Sequence, residues 1–307
     1  METEAGSAIR TDRSVSEKTA AERSFQIVLY GGLALFALLC VIPLILVISS
    51  SLTEEKNLAQ YGYRLWPKEF SLSAYAYVFK NGEQLLTSYG VTALVTAVGT
   101  LLGLLVCSLL AYPMSRKDFR FRNGLSFYVF FTMLFNGGLV PTYIVVTQFL
   151  HLKDTIWALI LAHTVSAFYV LLLKTFFATI PDSLVESAKL EGAGEFRIFF
   201  GIAAPLAKPA LATVGLFFTL IYWNDWFQAL LYIDDRDLLP LQYLLVMLMT
   251  SIEFMDLNPN ATSGMEMVPT ETVRMAMAVL AVGPMSLVYL YFQKFFVRGL
   301  TVGAVKS

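Results

Sequence analysis

A carboxylate, an amide and three aromatic rings stand together at Tyr222-Trp223-Asn224-Asp225-Trp226, inside a run that is otherwise apolar. Flat rings beside amide and carboxylate acceptors suit the apolar faces and hydroxyl edges of sugar rings. A polar side chain in hydrocarbon is costly unless it is paired or faces a wet cavity, so these positions are candidates for a substrate path. The competing reading is an aromatic belt at a membrane surface, with Asp225 capped by a neighbour. On a continuous helix, successive side chains turn by about 100°. Tyr222, Asp225, Trp226 and Ala229 then share one face, and Asn224, Phe227, Gln228 and Leu231 another. Asp225 and Trp226 are the stronger pair for the cavity. A second ionisable group, His163, sits with Ser166 and Tyr169 at helical spacing. A hydrogen-bonded packing role suits it better than a proton relay.

The other segment of interest is polar and lies between apolar runs, at positions 180–212. Pro181-Asp182-Ser183 is a helix start. A short helix then carries Glu186, Ser187 and Ala188, and pauses at Gly192-Ala193-Gly194. A further helical stretch, Glu195 to Ile202, is expected to end before Pro205. Small residues here allow close approach of another backbone; on chemistry alone, a hairpin joining two spans suffices. The chain has no phosphate-binding G-x-x-x-x-G-K-[ST] loop, no H-E-x-x-H and no nucleophile elbow. No catalytic constellation or metal site is legible, no cofactor is expected, and any ATP hydrolysis belongs to a separate subunit.

The elements that position these groups follow from composition. Of 307 residues, 57% are hydrophobic and 15% charged, with mean hydropathy +0.64; soluble domains average about 45–50% apolar and about 25% charged. The lipid bilayer is the solvent this composition demands. A formal charge of −1 removes the electrostatic case for nucleic acid. Cys40 and Cys107 both lie in apolar runs and read as small hydrophobes. Residues 1–24 are polar and aperiodic, a disordered tail. Apolar runs near 26–49, 85–113, 125–150, 155–177, 209–231 and 272–297 each approach the roughly 20 residues a spanning helix needs. The expectation is an all-α membrane protein of six transmembrane helices over 25–297, with a short tail at 298–307. Lys and Arg divide fifteen to seven between the two sides if the N-terminus is inside, which places both termini in the cytoplasm. Four basic residues within 114–123 then mark an inner loop, a lipid-binding patch being the sharper alternative. Outside lie residues 51–84 and 232–271, the latter with an apolar run, Leu241 to Met249, too short to span. Gly137, Gly138 and Pro141 interrupt the third span, by a kink toward a path or by close helix packing.

The polar loop at 180–208 resembles the EAA loop of bacterial ABC-importer permeases. Glu186, Ala188, Gly192, Ile202 and Pro205 occupy its positions, with Glu191 before the glycine; Ser187 and Ala204 are departures to small residues. Three more segments are similar to the carbohydrate-importer branch that includes the maltose permease pair: Phe135 to Val146, Tyr222 to Phe227 and Arg298 to Ser307. The resemblance implies a type I importer fold in the bacterial cytoplasmic membrane. It further implies one of two different permease subunits, a homodimeric or paired ABC ATPase, an extracellular or periplasmic solute-binding protein, and an oligosaccharide substrate. It assigns ATPase coupling to Glu186, Ser187, Ala188, Glu191, Gly192 and Ala193, a C-terminal ATPase contact to Gly299, Gly303 and Lys306, and to the outer loop 232–271 a reach into the binding protein. The alternative class, an ion-coupled secondary transporter, needs an intramembrane acid or histidine to load an ion; only Asp225 and His163 qualify.

Overall fold

The computed structural model describes residues 20–257 and 270–304. Among them the chain is helical, with one isolated antiparallel bridge between Thr53 and Phe70. Three helices are long and apolar enough to cross a membrane, or up to six if each bent pair is one span. The unbroken ones are α1 (Ala20–Ser51), α4 (Gly82–Ser115) and α15 (Thr270–Ala304). α2 (Glu55–Tyr61) and α3 (Ser73–Val78) fill the first long connection. Glu55 of α2 accepts from the backbone N–H groups of Glu271 (3.0 Å) and Thr272 (2.9 Å) and from the Thr272 hydroxyl (2.7 Å). A carboxylate on otherwise unpaired N–H groups at a helix start is stabilising, and it fastens this connection to the last span.

The third span is a pair of helices, α5 (Arg122–Leu134) and α6 (Leu139–Ile144), the latter extended by a π turn to Phe149. They bend by 110° at the expected interruption. Gly138 there has φ +89°, a conformation that favours glycine, and its N–H bonds the Asn136 side chain at 2.8 Å. The run expected as the fourth span holds α7 (Ile156–Leu161) and α8 (Ala167–Phe177). The polar loop holds α9 (Asp182–Leu190), α10 (Glu195–Ile198), a π turn to Ala203 and α11 (Ala204–Leu206). The run expected as the fifth span holds α12 (Lys208–Trp223) and α13 (Phe227–Tyr232); by length and composition the bent pairs are instead α8 with α9, at 78°, and Glu195–Leu206 with α12, at 82°. α14 (Leu241–Leu257) is an apolar helix, half-sunk through Leu241, Leu245 and Ile252. It is longer than the apolar run read from the sequence; residues 258–269, in the loop expected outside, lie outside the described residues.

Two sequence expectations change. The fourth and fifth spans are not continuous helices: His163 and Ser166 lie in a break at 162–166, and Asn224 to Trp226 form another. The helix expected to stop before Pro205 continues through Leu206, with a π turn at Phe199–Ala203 directly before the proline. At the C-terminus, helical backbone persists to Ala304 and so includes Gly299 and Gly303; Lys306 lies outside the described residues.

α4 is the axis of the core, flanked by α8 and α12. Gly99 and Gly103 let α12 come close: a Cβ on Gly99 would lie 2.4 Å from the Tyr222 ring, and one on Gly103 2.9 Å from the Phe218 ring. Small residues are how helices approach in a membrane, where packing rather than water expulsion drives association. Gly99→Val is expected to destabilise the purified protein by about 1–3 kcal/mol, read as a lowered thermal unfolding midpoint. An unchanged midpoint would show that the α4–α12 contact is not tight.

Candidate functional site

The two breaks face each other. His163 Nε2 lies 3.0 Å from Asp225 Oδ2, with side chains 27% and 13% exposed. The Nε2–H of the neutral tautomer protonated there, or of an imidazolium, can donate to the carboxylate. The other oxygen, Oδ1, accepts from the N–H groups of Phe227 (3.1 Å) and Gln228 (3.2 Å), so Asp225 starts α13 as well as holding His163. The breaks are locally encoded. Asn224 returns its amide to its own helix at the Leu220 carbonyl (2.8 Å), the competition that makes such residues poor in helix interiors. The Thr164 hydroxyl donates to the Ile160 carbonyl at 2.8 Å, and the Tyr222 hydroxyl donates to the same oxygen at 2.6 Å. A backbone group freed at membrane depth is thereby satisfied by protein, as it must be.

This geometry sorts the five aromatic and polar residues differently from a helical wheel. Tyr222 and Trp223 are buried, and the Trp223 indole donates to the Ala281 carbonyl of α15 at 3.0 Å. Asn224 is exposed, and Trp226 is 41% exposed with its ring edge-on to Phe227. Asp225 is therefore the knot and Trp226 the outward group; the face shared by Tyr222, Asp225, Trp226 and Ala229 does not exist, because the helix stops at Trp223. Asp225 and His163, the candidate ion-loading groups, are bonded to each other. Among the described residues no three His, Cys, Asp or Glu side chains form a group able to hold a metal.

At the other end of α8 and α12 lies the polar loop, about 24 Å away along the 16 residues of α12. Val185 and Ala188 bury one face of α9; Glu186, Ser187 and Glu191 are exposed on the other. Leu190, 91% exposed at the tip, is an unburied apolar side chain that sequence reasoning missed. Its signal was available: it falls off the inward stripe of Val185 and Ala188. Gly192 has φ +80° and ends α9. Its N–H bonds the Lys189 carbonyl (3.0 Å) while that of Ala193 bonds the Ala188 carbonyl (2.9 Å), the paired bonds of a Schellman stop. Nothing lies within 4 Å of a Cβ added there, so the glycine answers a backbone demand rather than close approach within the chain.

Ion pairs brace this loop against the connection between α4 and α5. Asp182 receives Arg116 (3.0 Å) and Lys117 (3.1 Å), and Lys189 reaches Asp118 (2.6 Å) and Glu195 (2.8 Å). The Lys117 ammonium holds the Asp182 carboxyl below its ordinary range, and Lys189 does the same for Asp118; Asp118 and then Glu195 hold Lys189 above its own. With carboxyls depressed, the brace is complete above the ordinary carboxylate range near about 4 and is lost only as pH falls further. With the lysine raised, it persists up to and beyond about 10.4.

Among the described residues the core is all-helical, with breaks tied to each other and a braced amphipathic loop, an architecture suited to a membrane component of a transporter. The family model described as the binding-protein-dependent transport system inner membrane component matches residues 84–302, and the chain belongs to that family. It is 41% identical over 285 residues to the polygalacturonan/rhamnogalacturonan transport system permease protein YtcP of Bacillus subtilis (strain 168), covering 93% of this chain and 99% of that one. It is 39% identical to Protein LplC of the same organism, covering 94% and 97%. A crystal structure of a bacterial ABC transporter involved in the import of the acidic polysaccharide alginate aligns with TM-score 0.77 and 30% identity, over 91% of this chain and 98% of that one.

Proposed function

We propose that this chain is one of two different permease subunits of an ATP-driven importer that takes up oligosaccharides, fragments of acidic polysaccharides included. In this reading six spans cross the bacterial cytoplasmic membrane with both termini inside. A separate ABC ATPase, homodimeric or paired, binds ATP and docks on α9 through Glu186, Ser187, Leu190 and Glu191. Gly299, Gly303 and Lys306 add a second contact at the C-terminus. An extracellular or periplasmic binding protein delivers the sugar to the outer loops at 51–84 and 232–271. Closure of the ATPase moves the coupling loop, and α8 and α12 carry that motion to the breaks. Nucleotide and sugar shift the equilibrium between inward-facing and outward-facing states by their differential affinity for the two.

The observation that carries this is the pair of breaks fixed by His163–Asp225, beside which Asn224 and Trp226 remain exposed. Trp226 offers a ring for stacking and Asn224 a carbonyl oxygen for a hydroxyl. Reconstitution with the partner permease, ATPase and binding protein should give oligogalacturonide uptake that requires ATP. Trp226→Ala should lower that uptake about 5–30-fold, the cost of truncating an aromatic anchor, and change the preference among sugars while assembly is unaffected. Uptake driven by an ion gradient without ATP would overturn the importer reading. Wild-type uptake and preference in the variant would leave Trp226 a surface anchor.

A further inference from the structure

We propose that a basic cavity at the ends of α4 and α8 binds the phosphate head group of an anionic membrane lipid, phosphatidylglycerol being the simplest. The cavity, of about 390 Å³, lies between the α4–α5 connection and the approach to the coupling loop. Arg116, Lys117, Arg122 and Lys174 line it, against the single carboxylate of Asp182. That carboxylate is already taken by Arg116 and Lys117. Lys174 instead donates to a neutral group, the Ser126 hydroxyl, at 2.8 Å, and among the described residues neither Lys174 nor Arg122 pairs with a carboxylate. Arg116 also meets Asp118 at 3.5 Å, a carboxylate shared with Lys189, so the lining remains net positive, with Arg122 and Lys174 as its uncommitted cations. Arg122 also begins the 13-residue α5, whose start has no side-chain cap, so the positive end of the helix dipole adds to the attraction for an anion.

The walls decide between a lipid and a soluble phosphate. Leu171, Phe177 and Ile180 line the same cavity. They offer nothing to free phosphate, but they are a surface along which the first carbons of acyl chains lie. Lys174 stands one turn from the end of α8, where a long stem passes apolar surface and delivers its charge to the head-group layer. Basic pockets between spans on the cytoplasmic side are the sites such chemistry predicts. The cavity touches Asp182, the first residue of α9, so a bound phosphate competes with that carboxylate for Arg116 and Lys117.

The test uses the assembled transporter, equilibrated with equal phosphatidylglycerol and phosphatidylcholine, and counts retained lipid by native mass spectrometry. Wild type is expected to retain phosphatidylglycerol preferentially. Arg122→Gln with Lys174→Gln should weaken retention roughly 25-fold, about fivefold per charge. Thr175→Glu puts a negative charge on the exposed rim of the cavity without disturbing packing, and should weaken it by a similar factor per charge even if the double variant fails to assemble. Inorganic phosphate at roughly millimolar concentration should not displace the lipid. Equal retention of the two lipids, unchanged phosphatidylglycerol retention in Thr175→Glu, or displacement by free phosphate would each overturn the proposal. Lipid is counted directly, so a failed sugar-uptake assay bears on the transport reading and not on this one.

Discussion

Gly192→Trp is expected to abolish transport while the chain still inserts and pairs with its partner permease. The residue stops α9 at φ +80° with two backbone hydrogen bonds spanning the turn. An L-residue in that conformation costs about 1–2 kcal/mol. The correctly shaped loop then falls by roughly 5–30-fold relative to alternatives. Because open space surrounds the position, Gly192→Ala isolates the backbone cost, and Gly192→Asn should recover part of the loss, since asparagine tolerates left-handed backbone. Tryptophan adds bulk on the exposed surface that the ATPase would cover. The measurements are sugar uptake, stimulation of ATP hydrolysis by the binding protein, and ATPase co-purification. The expected order is glycine, asparagine, alanine, tryptophan. Wild-type uptake and stimulation in Gly192→Trp would sink the coupling assignment.

His163→Ala should reduce transport of every sugar by a common factor of about tenfold or more. A hydrogen bond to a charged group contributes about 1.5–3 kcal/mol, and its loss frees the break in the fourth span from that in the fifth. Asp225→Ala removes the same bond and also the start of α13, so its defect should be at least as large. The double variant should be no worse than Asp225→Ala alone, because residues joined in one contact are not additive. His163→Gln, which retains a donor, should recover much of the activity. Multiplying defects in the double variant would show two independent roles. A change of sugar preference in His163→Ala would show that the histidine touches substrate, where Trp226 is expected to act instead.

The amino-acid pattern made the membrane class, the apolar runs and the polar loop legible because each rests on an average over many residues. The breaks were not, for the opposite reason. A run such as 209–231 is apolar enough to span whether or not it is helical throughout, and only Asn224 and Asp225 reveal the interruption. They are residues that stop and start helices, yet inside an apolar run they look like polar positions on one face. The partner of Asp225, His163, lies 62 positions away in sequence, beyond any local pattern. Gly192 was found by its spacing, but its physical reason, a left-handed stop, needed the backbone. The basic run at 114–123 showed its charge and not its neighbours: Arg116 and Lys117 are bound to Asp182, while Arg122 joins Lys174 at a cavity.

The polar loop, α8, α12 and the contacts between the two breaks close a ring through the molecule, two rods hinged at one end by the loop and at the other by the His163–Asp225 and Tyr222–Ile160 bonds. Such a linkage cannot lengthen one side without opening a corner. One residue inserted into α8 or α12 would shift the break by about 1.5 Å and turn it by about 100°, carrying one partner away from the other. The lengths of these two helices are therefore set jointly, and a change in one demands an equal change of register in its companion.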